Sequence, residues 1–192
     1  MTQFRPSLHE WLSTELWPQR LKHDAPKVYA LLDGARDPRI ESIVRASDAE
    51  FTCLYAGELS PDLSAAAPYL LHLEPGQPYT LNLLEEGWEQ SWGVYVVAAA
   101  HVTFKELRRH FRTLLRATDP QGNVLVFRFY DPRVLRVYLP TCTAEERAAF
   151  FGPVSTFVAE TGTGHSLIVY PQQVTNGSGA KLNIWPSTQS LE

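Results

Sequence analysis

Val124-Leu125-Val126-Phe127-Arg128-Phe129-Tyr130-Asp131-Pro132-Arg133 is the stretch on which the reading of the fold turns. Its first seven residues are aliphatic, aromatic or β-branched except Arg128, and they predict a buried strand covered on both faces, as in an α/β sheet. Alternation puts Val124, Val126, Arg128 and Tyr130 on one face and Leu125, Phe127 and Phe129 on the other. The chain then turns. Asp131 can accept hydrogen bonds from the first free N–H groups of a helix, and Pro132 suits the first helical position, where no N–H is needed. Val134, Leu135 and Tyr138 follow at helical spacing, and Pro140 marks the end. A strand, a sharp corner and a short helix thus bring Arg128, Asp131 and Arg133 together.

Upstream, Lys27–Leu32 reads as a strand that leaves through Asp33-Gly34, with Gly34 supplying a positive φ for the exit. Asp37-Pro38 starts a helix whose apolar face is Ile40, Ile43 and Val44. Strands are expected at Phe51–Tyr55, Tyr69–Leu73 and Trp92–Ala98, with helical segments at Leu63–Ala67 and Thr80–Glu86. Thr103 with Glu106, and Thr143 with Glu146, are capping boxes, and Gly152-Pro153 is a helix stop. Behind Thr103, Phe104, Leu107, Phe111, Leu114 and Leu115 form an apolar stripe, opposite a basic face of Lys105, Arg108, Arg109, Arg112 and Arg116. Val154–Val158 fits either strand or helix, and Leu167–Tyr170 is a short strand. This alternation predicts an α/β fold with a mixed, partly parallel central sheet and flanking helices. The expected organisation is an N-terminal helical segment (1–26), an α/β core (27–140), a small, truncated helical C-terminal lobe (141–173) and a polar tail (174–192).

Within this frame Phe127-Arg128-Phe129-Tyr130-Asp131-Pro132-Arg133, with Tyr29-Ala30-Leu31-Leu32-Asp33-Gly34-Ala35, resembles the type VI secretion effector-adaptor family, also called Tap or TEC chaperones. Ala67-Pro68-Tyr69-Leu70, the helix Glu106–Leu115 and Phe150-Phe151-Gly152-Pro153 add to the resemblance, which covers residues 28–158. It implies an α/β lobe followed by a helical lobe. It also implies a cytoplasmic role in binding a toxin effector and loading it onto the VgrG spike, with no covalent chemistry and no cofactor. Asp33, Gly34, Arg128, Tyr130, Asp131, Pro132 and Arg133 are then a structural brace. Arg108, Arg109, Arg112, Phe150, Phe151 and Trp185 are candidate partner contacts.

Composition agrees with a folded domain: 44% hydrophobic and 20% charged residues suffice for a core. A net charge of −4 without long charged runs speaks against wholesale nucleic-acid binding. Residues 1–17 lack the apolar region of a signal peptide, and no stretch approaches the ~20 apolar residues of a membrane span. Cys53 and Cys142 are expected as free thiols in a reducing cytoplasm. The six histidines fall in no metal-binding spacing, and Gly162-Thr163-Gly164-His165-Ser166 lacks the lysine of a phosphate loop. Two other readings stay open. One is an enzyme that uses Asp33, Asp131 and Arg128 on a small phosphorylated ligand, both carboxylates lying at the C-terminal edge of parallel strands. The other is an immunity-type inhibitor of a toxin.

Overall fold

The computed structural model describes residues 12, 16, 17, 24–119, 121–162, 166–173 and 180–184, with 166 and 180–184 in backbone only. The main sheet has seven strands: β1 (Lys27–Asp33), β2 (Phe51–Cys53), β3 (Pro68–Leu73), β4 (Gly93–Ala98), β7 (Val154–Glu160), β8 (Ser166–Pro171) and β9 (Ala180–Ile184). Their spatial order is β2-β3-β1-β4-β7-β8-β9, and every neighbouring pair is antiparallel. A separate ribbon pairs β5 (Arg116–Thr118) with β6 (Val124–Val126). The helices are α1 (Arg39–Ala46), α2 (Pro61–Ala65), α3 (Pro78–Gly87), α4 (Phe104–Leu114), α5 (Pro132–Tyr138) and α6 (Ala144–Phe151).

The expected partly parallel sheet is therefore corrected to an antiparallel one. The reason lies in how the β-α-β units are filled. β1 and β2, joined across α1, run in the same direction because both are antiparallel to β3, which lies between them. β3 and β4, joined across α3, run in the same direction on either side of β1. Helical crossovers do connect parallel strands here, but each pair is split by an antiparallel one.

The run Val124–Tyr130 is also corrected. Only Val124–Val126 is a strand, and it lies in the ribbon, exposed on both faces. The place beside β4 is taken by β7. Phe129 and Tyr130, adjacent in sequence, are both buried in a turn whose Asp131 N–H donates to the Arg128 carbonyl (3.0 Å). A third correction is that residues 141–173 form no helical lobe: α6 is followed by β7 and β8, which continue the main sheet. The polar tail also contributes a strand, β9.

Helices cover both faces of the sheet. On one face Tyr29, Leu31, Leu70, Val94 and Val96 meet Leu107 and Phe111 of α4, Leu135 of α5 and Phe150 and Phe151 of α6. On the other face Val28, Ala30, Leu32 and Leu71 meet Ile40 and Val44 of α1, Leu83 and Leu84 of α3, and Trp88 and Trp92. Leu12, Leu16 and Trp17 are buried in this second layer; the rest of the expected N-terminal helix lies outside the described residues. Both capping boxes form: the Thr103 and Thr143 side chains accept from the backbones of Glu106 and Glu146, whose carboxylates bond back. Gly152 ends α6 at φ +50°, where an added Cβ would collide with the His110 ring.

Candidate functional site

The charged residues singled out in the sequence meet at the sheet edge where β1 ends. Alternation from Tyr29 and Leu31 points Asp33 toward the α4–α6 layer. Its side chain is fully buried, accepting from the Ala35 N–H at 3.2 Å and pairing with the Arg128 guanidinium. Burial pushes the Asp33 carboxyl up, against the lowering effect of Arg128. Arg128 reaches in from the turn before α5 and keeps 40% of its side chain exposed. Tyr130 is buried next to this pair, with burial and a hydrogen bond to Tyr55 raising its hydroxyl pKa.

Asp131 caps α5 as its position before Pro132 predicts. Oδ1 accepts from the Arg133 N–H at 2.9 Å, and the Arg133 guanidinium binds both carboxylate oxygens, the shorter bond being 2.6 Å. Burial pushes this carboxyl up, but the bonds to Arg133 outweigh it and leave the net pKa lowered. A lowered carboxylate contributes stability that is present above its unfolded pKa and lost as the pH falls through the folded one. Asp131→Asn, which keeps a capping oxygen but not the charge, should therefore cost about 1 kcal/mol at neutral pH. The difference from wild type should fade below pH ~4, as read from urea midpoints across pH.

Gly34 has a different role from the one its sequence suggests. No positive φ is needed; its N–H bonds the Ala67 carbonyl (3.0 Å), and an added Cβ would overlap the backbone oxygens of Ala65 and Ala67. Gly34→Ala should cost about 2 kcal/mol through overpacking against backbone that cannot move aside, measurable by thermal or urea unfolding.

Sequence reasoning missed a second cluster on the same edge. Glu160, at the end of β7, is buried. It accepts from the Glu89 N–H (2.6 Å), the Ser91 N–H (2.9 Å) and the Ser91 hydroxyl (3.0 Å). Glu89 and Ser91 have φ of 63° and 56°, left-handed values unfavourable for residues with a side chain. Arg136 of α5 donates to the Glu160 carbonyl at 2.7 Å. No glycine marks residues 89–91 as a tight turn, so the sequence holds no signal for this clamp.

The other candidates are scattered. Phe150 and Phe151 are core residues, packed against Phe157 at centroid distances of 5.0 Å each, tilted and edge-on respectively, so they are corrected from surface anchors to packing. Arg112 donates to the carbonyls of Cys53 (3.2 Å) and Tyr55 (3.0 Å), tying α4 to the segment after β2. Arg108 and Arg109 are exposed and, with Lys105, line an open groove of about 500 Å³ along α4. Glu86 of α3 does not meet this face but pairs with Arg39 at 2.8 Å. A second open groove, about 660 Å³, runs along α5 past Asp131, Arg133, Val134 and Val137. Trp185 and His165 lie outside the described residues.

Residues 28–149 match the family model described as a domain of unknown function, DUF4123. The chain belongs to the DUF4123 family. No curated protein and no solved structure matches it. The DUF4123 match begins in β1 and ends within α6, so it contains the Asp33–Arg128 pair and the Asp131 cap. Glu160 lies beyond it and fastens a loop of the DUF4123 region to β7. Among the described residues no three His, Cys, Asp or Glu side chains gather to hold a metal ion, and no helix is long and apolar enough to cross a membrane.

Proposed function

We propose that this DUF4123 protein is an adaptor chaperone that holds a toxin effector of the type VI secretion machine and delivers it to the VgrG spike, without covalent chemistry. The observation that carries this reading is the inward use of the motif. Asp33 is sealed from water and held by Arg128, and both Asp131 oxygens are taken by Arg133 and the helix N-terminus. Carboxylates so placed have their oxygens already engaged, and neither can act as a base unless the turn opens. Charge-paired, hydrogen-bonded carboxylates of this kind hold a corner in place, whereas a general base needs a free lone pair within reach of its proton. Recognition then falls to outer surfaces: the basic face of α4 and the β5–β6 ribbon.

The test is co-expression of the tagged full chain with type VI toxin effectors and VgrG spike proteins of its host. Both should co-purify with it. Capture of neither rules the adaptor out. Neutralisation of the toxin by this chain alone assigns it instead as an inhibitor. A turnover abolished by Asp131→Asn with the fold intact assigns it as an enzyme.

A further inference from the structure

The β5–β6 ribbon presents Val124, Leu125 and Val126 at 65%, 51% and 64% exposure, three in a row. Among the described residues β5 and β6 pair only with each other. The Phe127 N–H donates to the Leu115 carbonyl (2.9 Å) and the Asp119 N–H to the Asn123 carbonyl (3.0 Å). Bonded pairs alternate along an antiparallel ribbon, so Ala117–Leu125 is the next inward pair. Arg116–Val126 and Thr118–Val124 direct their N–H and C=O groups outward. Among the described residues the outer edge of β6 is thus a row of unpaired backbone groups on an apolar, uncharged strand. Proteins usually block such an edge with lysine, proline or a bulge, and β6 has none of these.

We infer that the outer edge of β6 takes an extended segment of a partner protein as a third strand, and that this segment is apolar at its centre and acidic at the end that meets Arg116. The inference rests on the adaptor reading and names the surface through which a partner is held. Strand addition gives affinity through main-chain bonds and specificity through alternate side chains. The acidic end follows from charge. Arg116 stands across from Val126 on the same face, and α4, with Arg108 and Arg109 exposed, leads directly into β5. The cations thus stand at the Arg116–Val126 end of the ribbon, whereas the other end carries Asp119, whose carboxylate accepts from the Gln121 and Asn123 N–H groups. A second copy of the chain would instead bring another set of the same arginines to the seam.

Val126→Pro tests this in the full-length protein. The Val126 N–H makes no bond inside the ribbon, so proline removes the outward donor and leaves the ribbon's own ladder intact. The probe is a synthetic peptide of alternating valine and threonine ending in an aspartate pair, with a version ending in a lysine pair as control. The acidic peptide should bind, slow hydrogen exchange at the Val124 and Val126 amides, and bind at least about tenfold more tightly than the control. Val126→Pro should weaken it by about tenfold or more with an unchanged thermal midpoint. Equal binding of the two peptides, protection elsewhere, or a dimer that Val126→Pro dissolves overturns the inference. Capture of toxin and spike is scored separately. If wild type and Val126→Pro capture both proteins equally, the ribbon proposal falls and the adaptor reading stands. If wild type captures neither, the adaptor reading falls and the peptide result decides the ribbon.

Discussion

Replacing Arg128 with methionine should lower the free energy of unfolding by about 3–5 kcal/mol at neutral pH, because it leaves the Asp33 carboxylate buried without its cation. The packing stem of the side chain is kept, so the loss reports the charge. The pH dependence separates this cause from a simple cavity. Burial already raises Asp33, and a raised carboxyl gives stability that is present below its unfolded pKa and is lost as the pH rises through the folded one. Without Arg128 the folded pKa rises further, so the variant loses more on going to neutral pH. The gap between variant and wild type should therefore be widest near neutrality and should narrow toward pH ~4 and below, where Asp33 is protonated in both. Adding Asp33→Asn to the variant should recover part of the loss, since a neutral amide is cheaper to bury than an unpaired charge. Urea unfolding of wild type, Arg128→Met, Asp33→Asn and the double variant at several pH values checks the whole cycle.

Glu160→Ala should cost about 3–4 kcal/mol. Two backbone N–H groups and a hydroxyl lose their acceptor, and each buried donor left unpaired costs about 1–3 kcal/mol before relaxation. The two residues held at positive φ also lose what holds them. Glu160→Gln should recover only part of this. One carboxylate oxygen faces the Glu89 N–H and the other faces Ser91, so an amide NH₂ meets a donor whichever way it is turned. Hydrogen exchange should show residues 88–92 opening in both variants, more in the alanine. An unchanged midpoint for Glu160→Ala would mean that the loop keeps its shape without the clamp.

The helix ends were the most legible part of the fold. Capping depends on one side chain and the backbone within three residues of it, so Thr103 with Glu106, Thr143 with Glu146 and Asp131 with Pro132 could be read from local spacing. Pairing of Arg128 with a carboxylate was also legible, because a guanidinium within an apolar run needs a partner. Strand adjacency was not. A helix between two strands says that they run the same way, and here an antiparallel strand lies between them. The run Val124–Tyr130 misled for a related reason. Apolar, β-branched composition reports a preference for extended backbone, not whether a sheet has a vacant place beside it, and β7 fills the place beside β4. Phe150 and Phe151 could not be told from surface anchors, since burial depends on Phe157, which arrives from the following strand. Glu160 closes a strand as an exposed glutamate would, and its partners lie about seventy residues away.

The central claim is that the Asp33–Arg128–Asp131 corner is an internal brace and that the protein works through its outer surface. Capture of the toxin and the VgrG spike by Asp131→Asn beside wild type, at equal amounts of folded protein, tests it most directly. The account predicts that both proteins capture both partners to the same extent. A folded Asp131→Asn protein that loses them, or a wild type that captures neither, contradicts it.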